Sequence, residues 1–122
     1  MIAVVDDETS VRAMLGRVLR LANFQVAAFA SGEAFLDSAA AQNAACAILD
    51  IHMPGLTGFD VQVRLREAHS RVPVVFITAS DEASLDRSAA EAGAVSLLRK
   101  PFSSDKLLEA IGVALGKRIR EP

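Results

Sequence analysis

The chain has no tryptophan and no tyrosine, and six phenylalanines are its only aromatic residues. Its core must therefore be mostly aliphatic, drawn from a hydrophobic content of 52%. One cysteine, Cys46, excludes an internal disulfide and fits a reducing cytosol. No apolar run approaches the ~18 residues of a membrane span. Met1 to Val5 run directly into Asp6 and Asp7, without the basic start and longer apolar stretch of a secretion signal. An excess of basic charge is missing too: 13 Lys and Arg stand against 15 Asp and Glu, a formal charge of -2. A nucleic-acid binder usually carries a basic patch or stripe, so that class is disfavoured. Two distant histidines and one cysteine make no zinc-ligand motif. The expectation is a cytoplasmic protein without membrane contact, folded as one domain over residues 1–122.

What is present is an alternation. Short apolar runs at Ile2 to Val5, Gln25 to Phe29, Ala45 to Leu49, Val74 to Ile77 and Val95 to Leu98 read as strands. The unbroken run at Ala45 to Leu49 suits a strand buried on both faces. Between the strands lie amphipathic segments. Val11, Met14, Leu15, Val18 and Leu19 recur at helical spacing, with Met14 and Met53 read as packing residues. Ser31 is placed to cap a helix reaching about Ala41. Met53 to Gly58 is a turn-rich loop, followed by a helix from about Phe59 to His69. Asp81 is placed to cap a helix to about Ala92, with Gly93 as its C′ residue. Ser103 or Ser104 starts a last helix through Leu115, and Gly116 to Pro122 are read as a frayed tail or the start of a linker. The pattern is (βα)₅, an α/β fold with a doubly wound parallel sheet. Right-handed crossovers leave few strand orders, of which the flavodoxin-like 2-1-3-4-5 is favoured.

Ligands of such sheets sit beyond the carboxyl ends of the strands. The chain's polar residues collect there: Asp6 and Asp7 after strand one, Asp50 after strand three, Thr78 after strand four and Lys100 after strand five. Three carboxylates in one pocket repel each other unless a cation intervenes. A hard divalent ion such as Mg²⁺ suits oxygen ligands. A carboxylate can also act as a nucleophile toward phosphorus, and a metal, an ammonium and a hydroxyl would neutralise the charge of a phosphoryl in transit. Each residue alone has an ordinary structural explanation, as a loop, cap or turn residue. Their joint placement at successive strand ends carries the argument. Cys46 reads as a small buried hydrophobe, and His52 and His69 as exposed side chains.

These residues resemble response-regulator receiver domains over essentially the whole chain. The resemblance rests on Val4-Val-Asp-Asp-Glu8, Leu49-Asp-Ile-His-Met-Pro-Gly55 with Gly58 following, Ile77-Thr-Ala79, Ala92-Gly-Ala94 and Lys100-Pro-Phe102. Ala30 to Phe35 and Glu91 to Ala94 are similar to the NarL/FixJ type. The resemblance implies Asp50 as phosphoacceptor, with Thr78 donating its hydroxyl to the phosphoryl group. Lys100 would pair with Asp50 before transfer and with the phosphate after it. It implies Mg²⁺ held by Asp7, by Asp6 mainly through water, by Asp50 and by the backbone carbonyl of His52. It also implies a cis bond between Lys100 and Pro101, a sensor histidine kinase as phosphodonor, and output through a partner, a homodimer or an attached domain. DNA, in transcriptional control, would be reached only through an output domain that this chain does not contain.

One position departs from the family's pattern. Three residues before the lysine, where Tyr or Phe is usual, stands Leu97. Leucine has no ring to swing inward, so the expectation is that Thr78 and the loop from Ala79 to Glu82 carry most of the response. A reading from another class is a small Mg²⁺-dependent phosphatase with an aspartyl-phosphate intermediate. Such an enzyme usually has a second acid two residues after the nucleophile, where this chain has His52. A flavin-binding flavodoxin-like protein fits less well, because acids follow strand one where a phosphate loop would be needed.

Overall fold

The computed structural model describes the backbone of residues 1–120 and the side chains through Gly116. Five strands form one parallel sheet: β1 (Ile2–Val5), β2 (Val26–Phe29), β3 (Cys46–Asp50), β4 (Val74–Thr78) and β5 (Ser96–Arg99). Their order is β2-β1-β3-β4-β5, the expected flavodoxin-like arrangement. β1, β3 and β4 are buried at every position, whereas β2 and β5, at the edges, are mostly half-buried. That gradient explains why the central strands read as continuous apolar runs and the outer ones tolerate Gln25, Ser96 and Arg99 in or beside them.

Among the described residues six helices cover the sheet: α1 (Thr9–Leu21), α2 (Gly32–Leu36), α3 (Ala40–Asn43), α4 (Gly58–Glu67), α5 (Ser84–Glu91) and α6 (Ser104–Arg120). Leu15 and Leu19 of α1 pack with Leu107, Ala110, Ile111 and Ala114 of α6 against one face. On the other face Phe35, Ala40, Ala41, Val61, Leu65, Leu85 and Ala89 from α2 to α5 bury Ala3, Val5, Ala47, Leu49, Val74 and Phe76. Each fully buried aliphatic side chain contributes ~1.5–3 kcal/mol through removal from water. Four of the six rings lie on this second face, with Phe59 edge-on to Phe76 at 4.9 Å between centroids, and Phe24 and Phe102 lie on the first.

Several local expectations are corrected. The helix expected from Ser31 to about Ala41 is two short helices. Ser31 does cap the first, its Oγ accepting from the Ala34 amide. At the break, the Ser38 hydroxyl donates to the Phe35 carbonyl at 2.7 Å, a local bond that competes with helix continuation. Asp81 does not cap α5; the N-cap is Ala83, which offers no side-chain bond. α4 starts at Gly58, the last residue of the expected loop, where Thr57 and Asp60 form a reciprocal capping box. The backbone of α6 runs on to residue 120, through positions read as a tail. Met53 is buried, but Met14 is 40% exposed and does not serve the core as expected.

Gly93 is the C′ residue of α5, at φ +83°. Its amide bonds the Ala90 carbonyl and that of Ala94 bonds the Ala89 carbonyl, a Schellman closure. Gly58 serves a different need. A Cβ there would lie 2.6 Å from the Asp50 carbonyl oxygen, so only glycine lets α4 begin against the end of β3.

Candidate functional site

The strand order reverses direction between β1 and β3, and the carboxyl ends of those strands flank a crevice. Asp6 leaves β1, Asp7 follows it, and Asp50 ends β3. Carboxylate oxygens of all three lie within 4.8 Å of one another. Asp6 and Asp50 are buried, while Asp7 is exposed to solvent. Lys100 enters from the end of β5, past a cis Lys100–Pro101 bond. Its Nζ donates to Asp6 Oδ2 at 3.0 Å and lies 3.6 Å from Asp50 Oδ2 and 3.7 Å from Glu8 Oε1. The expected pairing with Asp50 is thus an ion pair beyond hydrogen-bond length, and the closer partner is Asp6.

These charges shape one another. Burial pushes the Asp50 carboxyl up to about 6, and the Asp6 and Asp7 charges push the same way. The Lys100 ammonium and the His52 amide, which donates to Asp50 Oδ1 at 3.3 Å, oppose that rise. Burial disfavours the Lys100 charge, but the hydrogen bond to Asp6 and the charges of Asp50, Asp6 and Glu8 outweigh it and raise its pKa. Two buried carboxylates and one exposed carboxylate against a single ammonium leave an excess of negative charge. The donor atoms are all oxygen, which fits a hard divalent cation rather than zinc or copper.

Thr78 ends β4 and is fully buried; its Oγ1 accepts from the Ser80 amide at 3.1 Å. The His52 side chain is exposed, as is that of His69. Cys46 is buried at the far end of β3, and burial pushes its thiol up to about 12. The fold thus brings Asp6, Asp7, Asp50 and Lys100 into contact or near-contact, with Thr78 at the adjacent strand end.

Three contributors were not singled out from the sequence. Glu8 stands near Lys100. The Arg12 guanidinium donates to the Asp6 carbonyl at 2.8 Å and braces the loop that carries the two acids. Ser80 holds Thr78 through its amide. Arg12 has a weak signal in the sequence, a cation in the first turn after an acid pair. Glu8 appears in the sequence only as the last residue of the Val4 to Glu8 stretch, and Ser80 has no signal that distinguishes it from a loop residue.

A family model described as the response regulator receiver domain matches residues 2–112. The chain is 36% identical over 118 residues to nodulation protein W of Bradyrhizobium diazoefficiens, covering 97% of this chain and 52% of that protein. It is 34% identical over 114 residues to the transcriptional regulatory protein FixJ of the same organism, covering 93% of this chain and 56% of FixJ. The crystal structure of a response regulator receiver protein from Burkholderia phymatum superposes with a TM-score of 0.83 at 41% identity, covering 94% of each chain. The chain spans about half the length of the curated relatives it matches. A motif set in order along the chain, a 2-1-3-4-5 sheet, an acid cluster at its switch point and a family match across nearly all residues agree: the chain belongs to the response-regulator receiver domains, of a kind consistent with the NarL/FixJ type.

Proposed function

We propose that this receiver domain, residues 1–122, accepts a phosphoryl group on Asp50 from a sensor histidine kinase and thereby switches an output partner or attached domain. The observation that carries the reading is the Lys100 ammonium set between Asp6 and Asp50, beside a cluster of three carboxylates. Asp50 has the position and environment of a nucleophile: its carboxylate is buried in a strand end yet lies beside an ammonium that neutralises part of its charge. Lys100 screens the approach of an anionic phosphoryl group and pairs with it afterwards. Thr78 supplies a hydroxyl donor for a phosphoryl oxygen, while its oxygen still accepts from Ser80.

Asp7, Asp50, the His52 carbonyl and, mainly through water, Asp6 would hold Mg²⁺. The ion supplies charge neutralisation for phosphoryl transfer when bound. The protein's own part is to hold the acids converged at the ends of β1 and β3. The activity is confined to self-phosphorylation and dephosphorylation, so the domain is a signalling module and not an enzyme acting on other substrates. Its setting is the cytoplasm, where a kinase would meet it; no helix among the described residues is long and apolar enough to cross a membrane. Names of relatives such as FixJ point to transcription as the output. DNA would then be bound by an output domain outside this chain, and a homodimer formed on phosphorylation would be one way of engaging it.

The test is incubation with acetyl phosphate and Mg²⁺ followed by intact-mass measurement. One added phosphoryl group is expected on the wild type and none on Asp50→Asn. Stoichiometric labelling of the Asn variant would remove Asp50 from the role.

A further inference from the structure

Leu97 leaves the domain without the ring that usually reports the state of the threonine, so the response needs another carrier. Leu97 is half-buried against the cluster containing Phe76, its partner in register on β4. Two residues further along β5, on the same face, Arg99 stands beside Thr78. Its guanidinium reaches out of the sheet to the segment that follows Thr78. One nitrogen lies 3.0 Å from Asp86 Oδ2 and donates to the Glu82 carbonyl at 2.7 Å, while the other donates to Asp86 Oδ1 at 3.1 Å. This is a two-pronged carboxylate pair with a third bond to backbone, the geometry in which arginine holds best.

The bonds continue inward. The Glu82 amide donates to the Ser80 hydroxyl at 3.2 Å, and the Ser80 amide donates to Thr78 Oγ1 at 3.1 Å. A connected path therefore runs from the buried threonine hydroxyl to a partly exposed ion pair. The segment it crosses is otherwise lightly held. α5 begins at Ser84 behind an N-cap, Ala83, that offers no side-chain bond, and its first turn closes with bonds of 3.3 Å from the Leu85 amide to the Glu82 carbonyl and from the Asp86 amide to the Ala83 carbonyl. A shift of Thr78 would pass along this path to Ser80, then to Glu82 and the Arg99 fork.

We propose that Arg99 and Asp86 form a latch that holds residues 79–86 in the form seen here, and that its release carries the phosphorylation signal in place of the missing ring. The inference rests on Asp50 being the phosphoacceptor. A pair this exposed is modest in strength, which suits a latch. It must hold one state without locking the domain against a phosphoryl group that favours the other by a few kcal/mol.

The test uses beryllofluoride with Mg²⁺ as the phosphoryl mimic and follows the Thr78 and Ala79 amide shifts. Removing the latch destabilises the state that competes with mimic binding, so Arg99→Ala and Asp86→Asn should each tighten the apparent Kd about fivefold, the low end of typical couplings. The double variant should go no further than Arg99→Ala alone, because that change already removes the pair with Asp86 along with the bond to the Glu82 carbonyl. In the unliganded protein the Glu82 and Leu85 amides should exchange faster in every variant. An unchanged Kd in Arg99→Ala, or effects that add in the double variant, would overturn the latch. A wild type that takes up no beryllofluoride would overturn the phosphoacceptor reading itself, a failure separable from loss of the latch because the exchange measurement needs no mimic.

Discussion

Asp50 is held where its charge is unwelcome. It is buried, faces Asp6 and Asp7, and is compensated by the Lys100 ammonium at 3.6 Å and the His52 amide at 3.3 Å. Removing its charge should relieve the folded state, so Asp50→Asn should melt higher than wild type in chelator. A gain of about 1–2 kcal/mol, or a few degrees, is the expected size. In millimolar Mg²⁺ the advantage should shrink or reverse. Calorimetry of both proteins in both buffers checks this, and a variant less stable than wild type in chelator would contradict it. Lys100 presents the opposite case. Its loss leaves Asp6 and Asp50 buried without compensation, and Lys100→Ala should be clearly destabilised, by roughly 3 kcal/mol if the pair behaves as buried pairs do.

Cys46 gives the pH dependence with a definite sign. Burial pushes its thiol from 9.0 to about 12, so the unfolded chain ionises first. The stability this difference confers is fully present below pH 9. It is lost between pH 9 and 12 at about 1.4 kcal/mol per pH unit. Cys46→Ala lacks that thiol. The stability gap between the two proteins in urea melts should therefore narrow as pH rises above 9, from an initial disadvantage for the variant of about 1 kcal/mol due to the lost sulfur. A gap independent of pH from 8 to 10.5 would contradict it. For the same reason a thiol reagent at neutral pH should modify Cys46 only as fast as the protein opens.

At the scale of elements, α4 depends on its first turn. Thr57 and Asp60 satisfy each other's amides, and Gly58 lies against the end of β3. Thr57→Ala should cost about 1 kcal/mol. Gly58→Ala should cost more, because the methyl collides with backbone at Asp50 and Ile51 and cannot be relieved by a side-chain rotation. The second change should also slow labelling of Asp50 by acetyl phosphate, whereas the first should not. Equal effects on labelling would mean that Gly58 matters only for stability. α5 shows the reverse design. It has an alanine N-cap, and its start is fastened instead by Arg99 from the neighbouring strand. An element held from outside at one end can move without the sheet moving. The response expected over Ala79 to Glu82 therefore falls beside a helix start that has no side-chain cap.

For the whole molecule, the dominant feature is a rigid aliphatic sheet with its negative charge gathered at one edge. A cation that binds only the folded state stabilises it by mass action, about 2.7 kcal/mol at one hundred times its dissociation constant. Millimolar Mg²⁺ should raise the melting temperature of the wild type, and Asp7→Ala, which removes an exposed ligand with little change in packing, should lose most of that shift. An equal shift in the variant would count against the cluster as the metal site.

Much of this was legible in the linear chain. Apolar runs of four or five residues alternating with helical periodicity are enough to specify five strands, a parallel sheet and its order, because right-handed crossovers admit few alternatives. The same runs end at Asp6, Asp50, Thr78 and the Arg99–Lys100 pair, so the residues of the site can be named before any coordinate is known. Other features depend on separations that no spacing rule encodes. That Lys100 lies nearer to Asp6 than to Asp50 follows from where the end of β5 delivers an ammonium across 94 residues of sequence. That Ser38 ends one helix early, that Met14 faces solvent and that Asp81 leaves α5 uncapped are outcomes of competing local bonds and of packing. Arg99 reads in the sequence as one more cation at a strand end. It becomes a clasp on Glu82 and Asp86 only because parallel pairing sets it beside Thr78. Periodicity is a property of neighbours along the chain, whereas charge pairing and helix release are decided by groups that meet only once the sheet has closed.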